Sequence, residues 1–212
     1  CNYTEEEIAE GFEMIQSLEE AHVIPTLQMI ADNAANPVEQ SPVWTGGTWA
    51  GVYTWNTSSA NPKAALPNPE AMVTSHMFEG FPHKGGMFRA SMTFGITKTC
   101  KYPKEAAALL EFMLNDPEGV ALMANERGIP YSKAGLEALE ASGNVDELTK
   151  MATEYALEDN TFPMDEYFEC SEYKATTEGL YDKVFNAFAY GETDAKGAAK
   201  MLLDGMNAKM SK

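Results

Sequence analysis

The stretch that most constrains this chain runs from Gly85 to Ser132, GGMFRASMTFGITKTCKYPKEAAALLEFMLNDPEGVALMANERGIPYS. Two helix starts are written into it. Pro103 stands at a first helical position, where a backbone N–H would have no partner and proline's missing donor loses nothing. Ala106, Leu109, Leu110 and Met113 follow at i, i+3, i+4 and i+7, which predicts one apolar helix face. Asp116 before Pro117 is an N-cap followed by a first-turn proline, and its carboxylate can accept orphan backbone N–H groups. The helix opened there is expected to end at Arg127, a cation at the negative end of the helix dipole. Gly128 would supply the left-handed residue beyond it, and Pro130 would block continuation. Upstream, Met87 to Thr97 is rich in aromatic and branched residues, which predicts a strand.

In this order and spacing, LNDPEG…M…ERGIP.S preceded by GIT.T…P.EAA.LLEF resembles the C-terminal half of bacterial extracellular solute-binding proteins of family 1. These are the carbohydrate-binding components of ABC sugar importers. The resemblance implies an α/β fold class: the helix-rich C-terminal portion of a two-lobed type II periplasmic-binding-protein fold. Residues 1–212 would then be the second lobe with hinge segments, the N-terminal half being absent. A lone half-cleft would hold sugar weakly, since enclosure needs both walls. The function implied is reversible capture of an oligosaccharide, hinge closure around it, and delivery to the membrane subunits of an ABC permease. The protein would be a monomer, extracytoplasmic, in the periplasm or on the cell surface as a lipoprotein. No cofactor, no metal and no catalytic residue are implied.

Composition is ordinary for a soluble globular protein. A chain of 212 residues, 44% of them apolar, is long enough for one or two domains with a substantial core. Its 32 acids against 15 bases leave a net charge of −17, which argues against nucleic-acid backbones and anionic membrane surfaces as partners. No apolar run approaches the ~20 residues of a membrane span. The chain opens without Met and enters a helix almost at once, with Thr4 and Glu7 as a capping box. That is expected of a piece of a longer protein in preference to a lipoprotein start at Cys1. Cys1, Cys100 and Cys170 form no C-x-x-C pair, so zinc and thioredoxin-like chemistry have no support. Cys100 and Cys170 are read as free buried thiols, with a disulfide between them as the alternative.

Along the rest of the chain, residues 4–20 predict an amphipathic helix with Ile8, Phe12, Ile15 and Leu18 on one side, closed by Val23-Ile24-Pro25. A shorter turn is expected around Leu27–Ala31, then loop to Pro42. Thr48, Ala50, Val52 and Thr54 alternate with Trp49, Gly51, Tyr53 and Trp55, which predicts a strand with one aromatic face. The same segment resembles the family's Gly-x-x-Ala/Gly-x-x-x-Trp element, which delivers an aromatic into the ligand cleft. A short helix is expected from Asn61-Pro62 to Leu66, and an extended segment near Met72–Met77. Helices follow at Lys133–Ser142, at Val145–Leu157, at about Glu172–Tyr190, and from a Thr193 cap through Met206. Phe162-Pro163 is read as a chain break. The ending Tyr-Gly-Glu-x-Asp…Ala-Ala…Leu also resembles that class.

The candidate ligand-binding residues are Trp55, Asn56, Met87, Phe88 and Arg89. Sugars need flat apolar rings against their C–H faces and planar polar groups for paired hydroxyls. Trp55 ends the aromatic strand and is followed by small polar residues from Asn56 onward; by resemblance this position stacks on the ligand, the alternative being a core tryptophan. Gly86-Met87-Phe88-Arg89 enters the later strand, where relatives line the cleft. Phe88 would stack and Arg89 would donate a fork of hydrogen bonds, the alternative being a plain surface role. Trp44 and Trp49 are expected to pack, and Arg127 to cap its helix. No G-x-S-x-G, H-E-x-x-H or phosphate loop is present, and His22, His76 and His83 have no regular metal spacing. Carboxylates are plentiful enough for a glycosidase pair, yet none lies in the Trp-rich segment. A carbohydrate-active enzyme domain and a helical protein-interaction module are the alternative functions.

Overall fold

A computed structural model describes residues 2–34, 36–75, 86–88, 93–124, 128–158, 160–163 and 167–210, with the strand residues and residue 210 described by backbone alone. In chain order the elements are α1 (Glu5–Glu20), α2 (Leu27–Asn33), α3 (Pro42–Thr45), α4 (Ala60–Ala64), β1 (Gly86–Phe88), α5 (Pro103–Asn115), α6 (Pro117–Met123), α7 (Lys133–Ser142), α8 (Glu147–Glu158), β2 (Asn160–Pro163), α9 (Ser171–Lys174), α10 (Leu180–Ala189) and α11 (Ala195–Met210). The chain divides into two compact units, Val38–Met164 and the pair of terminal segments Cys1–Pro37 with Asp165–Lys212.

The terminal segments form a helical unit. The capping box is present as expected: the Thr4 hydroxyl accepts from Glu7 N–H, and the Glu7 carboxylate accepts from Thr4 N–H at 2.8 Å. Ile8, Phe12, Ile15 and Leu18 are the half-buried side of α1. Its ring Phe12 meets Phe188 of α10 edge-on, centroids 5.0 Å apart. Leu27, Val184, Phe188, Ala195 and Ala198 are the buried centre, with Leu202 and Ile30 packed against it. Burying side chains such as Val184 or Phe188 contributes about 1.5–3 kcal/mol each. Small residues on α11 let that helix approach closely, and Ala198 and Ala199 are wholly buried.

Two helix boundaries in this unit differ from expectation. The long helix over Glu172–Tyr190 is two pieces, α9 and α10. The β-branched pair Thr176-Thr177 disfavours helix, Thr177 takes a left-handed φ of +68, and the Asp182 carboxylate accepts its N–H at 2.6 Å, restarting the chain at Gly179. The last helix is capped by Asp194, whose carboxylate accepts from Gly197 N–H at 2.8 Å, in place of Thr193, and it runs to Met210.

In Val38–Met164, α5, α6 and α7 pack against one another. Pro103 is the first residue of α5. The Asp116 carboxylate caps α6 by accepting from Glu118 N–H at 2.9 Å. The α6 helix ends at Met123, four residues before the expected end at Arg127: Ala124 is its C-cap with a positive φ of +45, which no helix continues through. Arg127 lies outside the described residues, and Gly128 takes a left-handed φ of +85. Ser132 caps α7 through Gly135 N–H. Of the predicted α5 face, Ala106, Leu110 and Met113 are half-buried, but Leu109 is 57% exposed. Leu114 takes its place on the packed side, a rotation of the stripe that periodicity cannot resolve.

The extended segments differ most. Among the described residues Thr48–Trp55 pairs with no strand; Trp55 has φ −66 and ψ 141, an extended conformation. Alternation signals extended backbone and two faces, not the presence of a neighbour. The Met87–Thr97 strand is seen only as β1: residues 93–97 are not strand, and 89–92 lie outside the described residues. Its partner is Asn160–Pro163, pairing in parallel, so Phe162-Pro163 is the end of a strand and not merely a break. Pro163 can close a strand because it has no ladder N–H to lose there.

Candidate functional site

The site is built in Val38–Met164 from the floor upward. Pro42 opens α3 and Trp44 turns inward, 2% exposed, its indole N–H donating to the Pro62 carbonyl at 2.8 Å. Trp44 is thus a packing residue, as expected. Gly46-Gly47 reverses the chain into the extended 48–55 segment, which carries Trp49, Tyr53 and Trp55. A 3-10 turn, Asn56–Ser58, then docks on α8. The Asn56 amide donates to the Thr153 hydroxyl at 3.0 Å, and that hydroxyl donates to the Thr149 carbonyl at 2.7 Å. The Ser59 hydroxyl donates to the Asn56 carbonyl at 2.9 Å and lies 3.3 Å from the Thr149 hydroxyl. Thr149 donates in turn to the Asp146 carboxylate at 2.6 Å, and Asp146 pairs with Lys63 at 3.7 Å. Trp55 is therefore carried at the start of a turn held to α8 by side-chain hydrogen bonds.

A cleft of about 860 Å³ opens beside this turn. Its volume is in the range of small-molecule sites, roughly 300–1,000 Å³. Trp49, Tyr53, Trp55 and Tyr155 supply rings, while Asn56, Asn68 and the hydroxyls of Thr54, Ser59 and Thr74 supply polar atoms. The Trp55 side chain is 37% exposed, neither sealed in the core nor free in solvent. Tyr53 stands largely exposed, yet desolvation lifts its phenol above the ordinary tyrosine value. Among the described residues lining the cleft, none has a carboxylate, ammonium, guanidinium, imidazole or thiol.

Of the five candidate residues, Trp55 and Asn56 come together on this cleft. Met87 and Phe88 are on β1, which runs beside α8, one wall of the cleft; their side chains are not described. Arg89 lies outside the described residues, as do His76 and His83. Tyr155 is a lining residue that the sequence reading missed. Its signal was the α8 row Leu148, Ala152, Tyr155 and Ala156, at i, i+4, i+7 and i+8. Cys100 and Cys170 are free, partly buried thiols. Among the described residues no group of three or more His, Cys, Asp or Glu is placed to hold a metal ion, and no helix is long and apolar enough to cross a membrane.

No protein-family model matches the chain. Solved structures do. A periplasmic oligogalacturonide-binding protein from Yersinia enterocolitica, in complex with saturated digalacturonic acid, is similar at 25% identity and a TM-score of 0.78, over 99% of this chain and 52% of that one. A periplasmic solute-binding protein from Pectobacterium atrosepticum shares the fold at 23% identity and a TM-score of 0.77, over 100% of this chain and 52% of that one. A de novo designed cysteine esterase is similar at 26% identity and a TM-score of 0.71, over 99% and 52%. The chain thus spans about half the length of the solved structures it matches. Its fold is the helix-rich C-terminal part of the periplasmic solute-binding architecture.

Proposed function

We propose that residues 1–212 form the C-terminal part of an extracytoplasmic oligosaccharide-binding protein that delivers its ligand to an ABC permease. The single observation that carries this is the cleft beside Trp55: aromatic rings with an amide and hydroxyl rim, in a chain with a periplasmic solute-binding fold. Trp55 would stack on the apolar face of a pyranose, and Asn56 would meet its hydroxyls with the polar atoms not engaged by Thr153. Met87, Phe88 and Arg89 would approach from β1 and the residue after it. Ligand-driven hinge closure of the two lobes would shift open molecules to closed ones. The Yersinia protein's digalacturonic acid supports a saccharide as the class of ligand.

Titration of the full-length protein with an oligosaccharide panel, for the wild type and Trp55→Ala, tests this. Loss of a ring that anchors a ligand should weaken binding by about 10- to 100-fold. Unchanged affinity would remove Trp55 from the site. A second function has one observation behind it, the likeness to a designed esterase. Yet the described wall offers no nucleophile–base pair and no acid for hydrolysis. Product analysis after prolonged incubation with the same oligosaccharides separates the two: turnover would refute the receptor.

A further inference from the structure

We infer that Thr153 is a positioning residue for the saccharide: it fixes which atoms of the Asn56 amide are kept for the ligand. The inference rests on the carbohydrate-binding proposal above and deepens it by one residue behind the cleft wall.

An asparagine amide has two unlike ends of nearly equal shape, an oxygen that accepts and a nitrogen that donates twice. Free in a cleft, it can turn over and offer either. Here the protons decide. Thr153 Oγ1 lies 2.7 Å from the Thr149 carbonyl oxygen, one turn back in α8. Two oxygens at that distance need a hydrogen between them, and a carbonyl has none to give. The single hydroxyl proton of Thr153 is therefore committed inside the helix, in the i−4 back-bond that threonine forms readily. Only lone pairs remain on that hydroxyl toward Asn56, so the 3.0 Å contact is made by the amide N–H. Were the amide turned over, two acceptors would meet. Asn56 lines the cleft and Thr153 does not, so the threonine reaches a ligand through the amide. Beyond the bond to Thr153, the amide keeps its oxygen and its second N–H. An acceptor and a donor on one planar group match neighbouring sugar hydroxyls, each of which both gives and takes. The backbone beneath is held too, since the Asn56 carbonyl accepts from the buried Ser59 hydroxyl at 2.9 Å. Side chain and backbone of Asn56 are thus set before a ligand arrives, which lowers the ordering cost of binding.

The test is a double-mutant cycle on the full-length protein, Asn56→Ala and Thr153→Val singly and together. Each is titrated calorimetrically with the saccharide that the wild type binds most tightly in a panel of neutral and acidic oligosaccharides. Thr153→Val should weaken binding about 5- to 10-fold, the worth of one hydrogen bond, and less than about 2-fold once Asn56 is alanine. Thr153→Ser, which restores the hydroxyl, should bind within about 2-fold of the wild type. Thr153→Ala repeats the cycle with a better helix former, so a valine variant that fails to fold does not end the test. Equal losses in the two backgrounds, or wild-type affinity without the hydroxyl, would overturn the inference and leave the carbohydrate-binding proposal standing. If no saccharide of the panel binds the wild type, both fall.

Discussion

Replacing Thr149 by Val tests whether the turn bearing Trp55 is held by hydrogen bonds or only by packing. Thr149 is 1% exposed, so the isosteric valine keeps the shape and removes one hydroxyl. That hydroxyl donates to the Asp146 carboxylate at 2.6 Å, and a hydrogen bond to a charged acceptor contributes about 1.5–3 kcal/mol. Asp146 keeps the Thr149 N–H at 3.3 Å and Lys63 at 3.7 Å, and its side chain is 31% exposed, so water replaces part of the loss. Ser59 loses a hydroxyl neighbour at 3.3 Å but still has the Asn56 carbonyl at 2.9 Å. The net cost should fall at the low end, about 1.5 kcal/mol. Urea denaturation should show a midpoint lower by about half a molar with an unchanged slope, for a slope near 3 kcal/mol/M. Thr149→Ser is the control, since it keeps the hydroxyl and loses one methyl, worth about 0.8 kcal/mol. A valine variant as stable as the wild type, or a serine variant worse than the valine one, would refute the hydrogen-bond account and leave packing as the restraint.

Gly119→Ala should destabilise the protein by several kcal/mol on the order of a severe core clash, because the added Cβ would lie 2.0 Å from the Phe112 carbonyl oxygen; thermal or urea unfolding measures it, and a neutral result would mean that α5 and α6 separate easily. Tyr190 donates to the Asp32 carboxylate, and that bond, desolvation and the carboxylate's charge hold its phenol above the ordinary tyrosine value. A raised folded value means the contribution to stability is present below the unfolded tyrosine pKa and fades as pH climbs past it toward the folded one. In an ultraviolet phenolate titration, Asp32→Asn should therefore move to lower pH the ionisation of the tyrosine that Tyr190→Phe removes, and no change would refute the coupling.

Helix boundaries are where the primary structure was most informative. The Thr4–Glu7 box, the Asp116-Pro117 start and the Ser132 to Gly143 helix all appear, because a cap is chemistry between residues two or three apart. Two of the candidate residues, Trp55 and Asn56, line one cleft, since they are neighbours in the chain. What the residues alone did not decide was partnership across distance. Nothing near Thr48–Trp55 says that its alternating faces find no ladder among the described residues, and nothing near Asn160 says that it pairs with Gly86. Leu109 and Leu114 have equal claims to the inner face of α5 until a neighbouring helix chooses between them. Tyr155 enters the cleft only because α8 presents that side to the turn at Asn56. Local hydrogen-bond chemistry is written in adjacent residues, whereas burial and strand pairing depend on which surface packs against which, and that is settled only when the chain closes on itself.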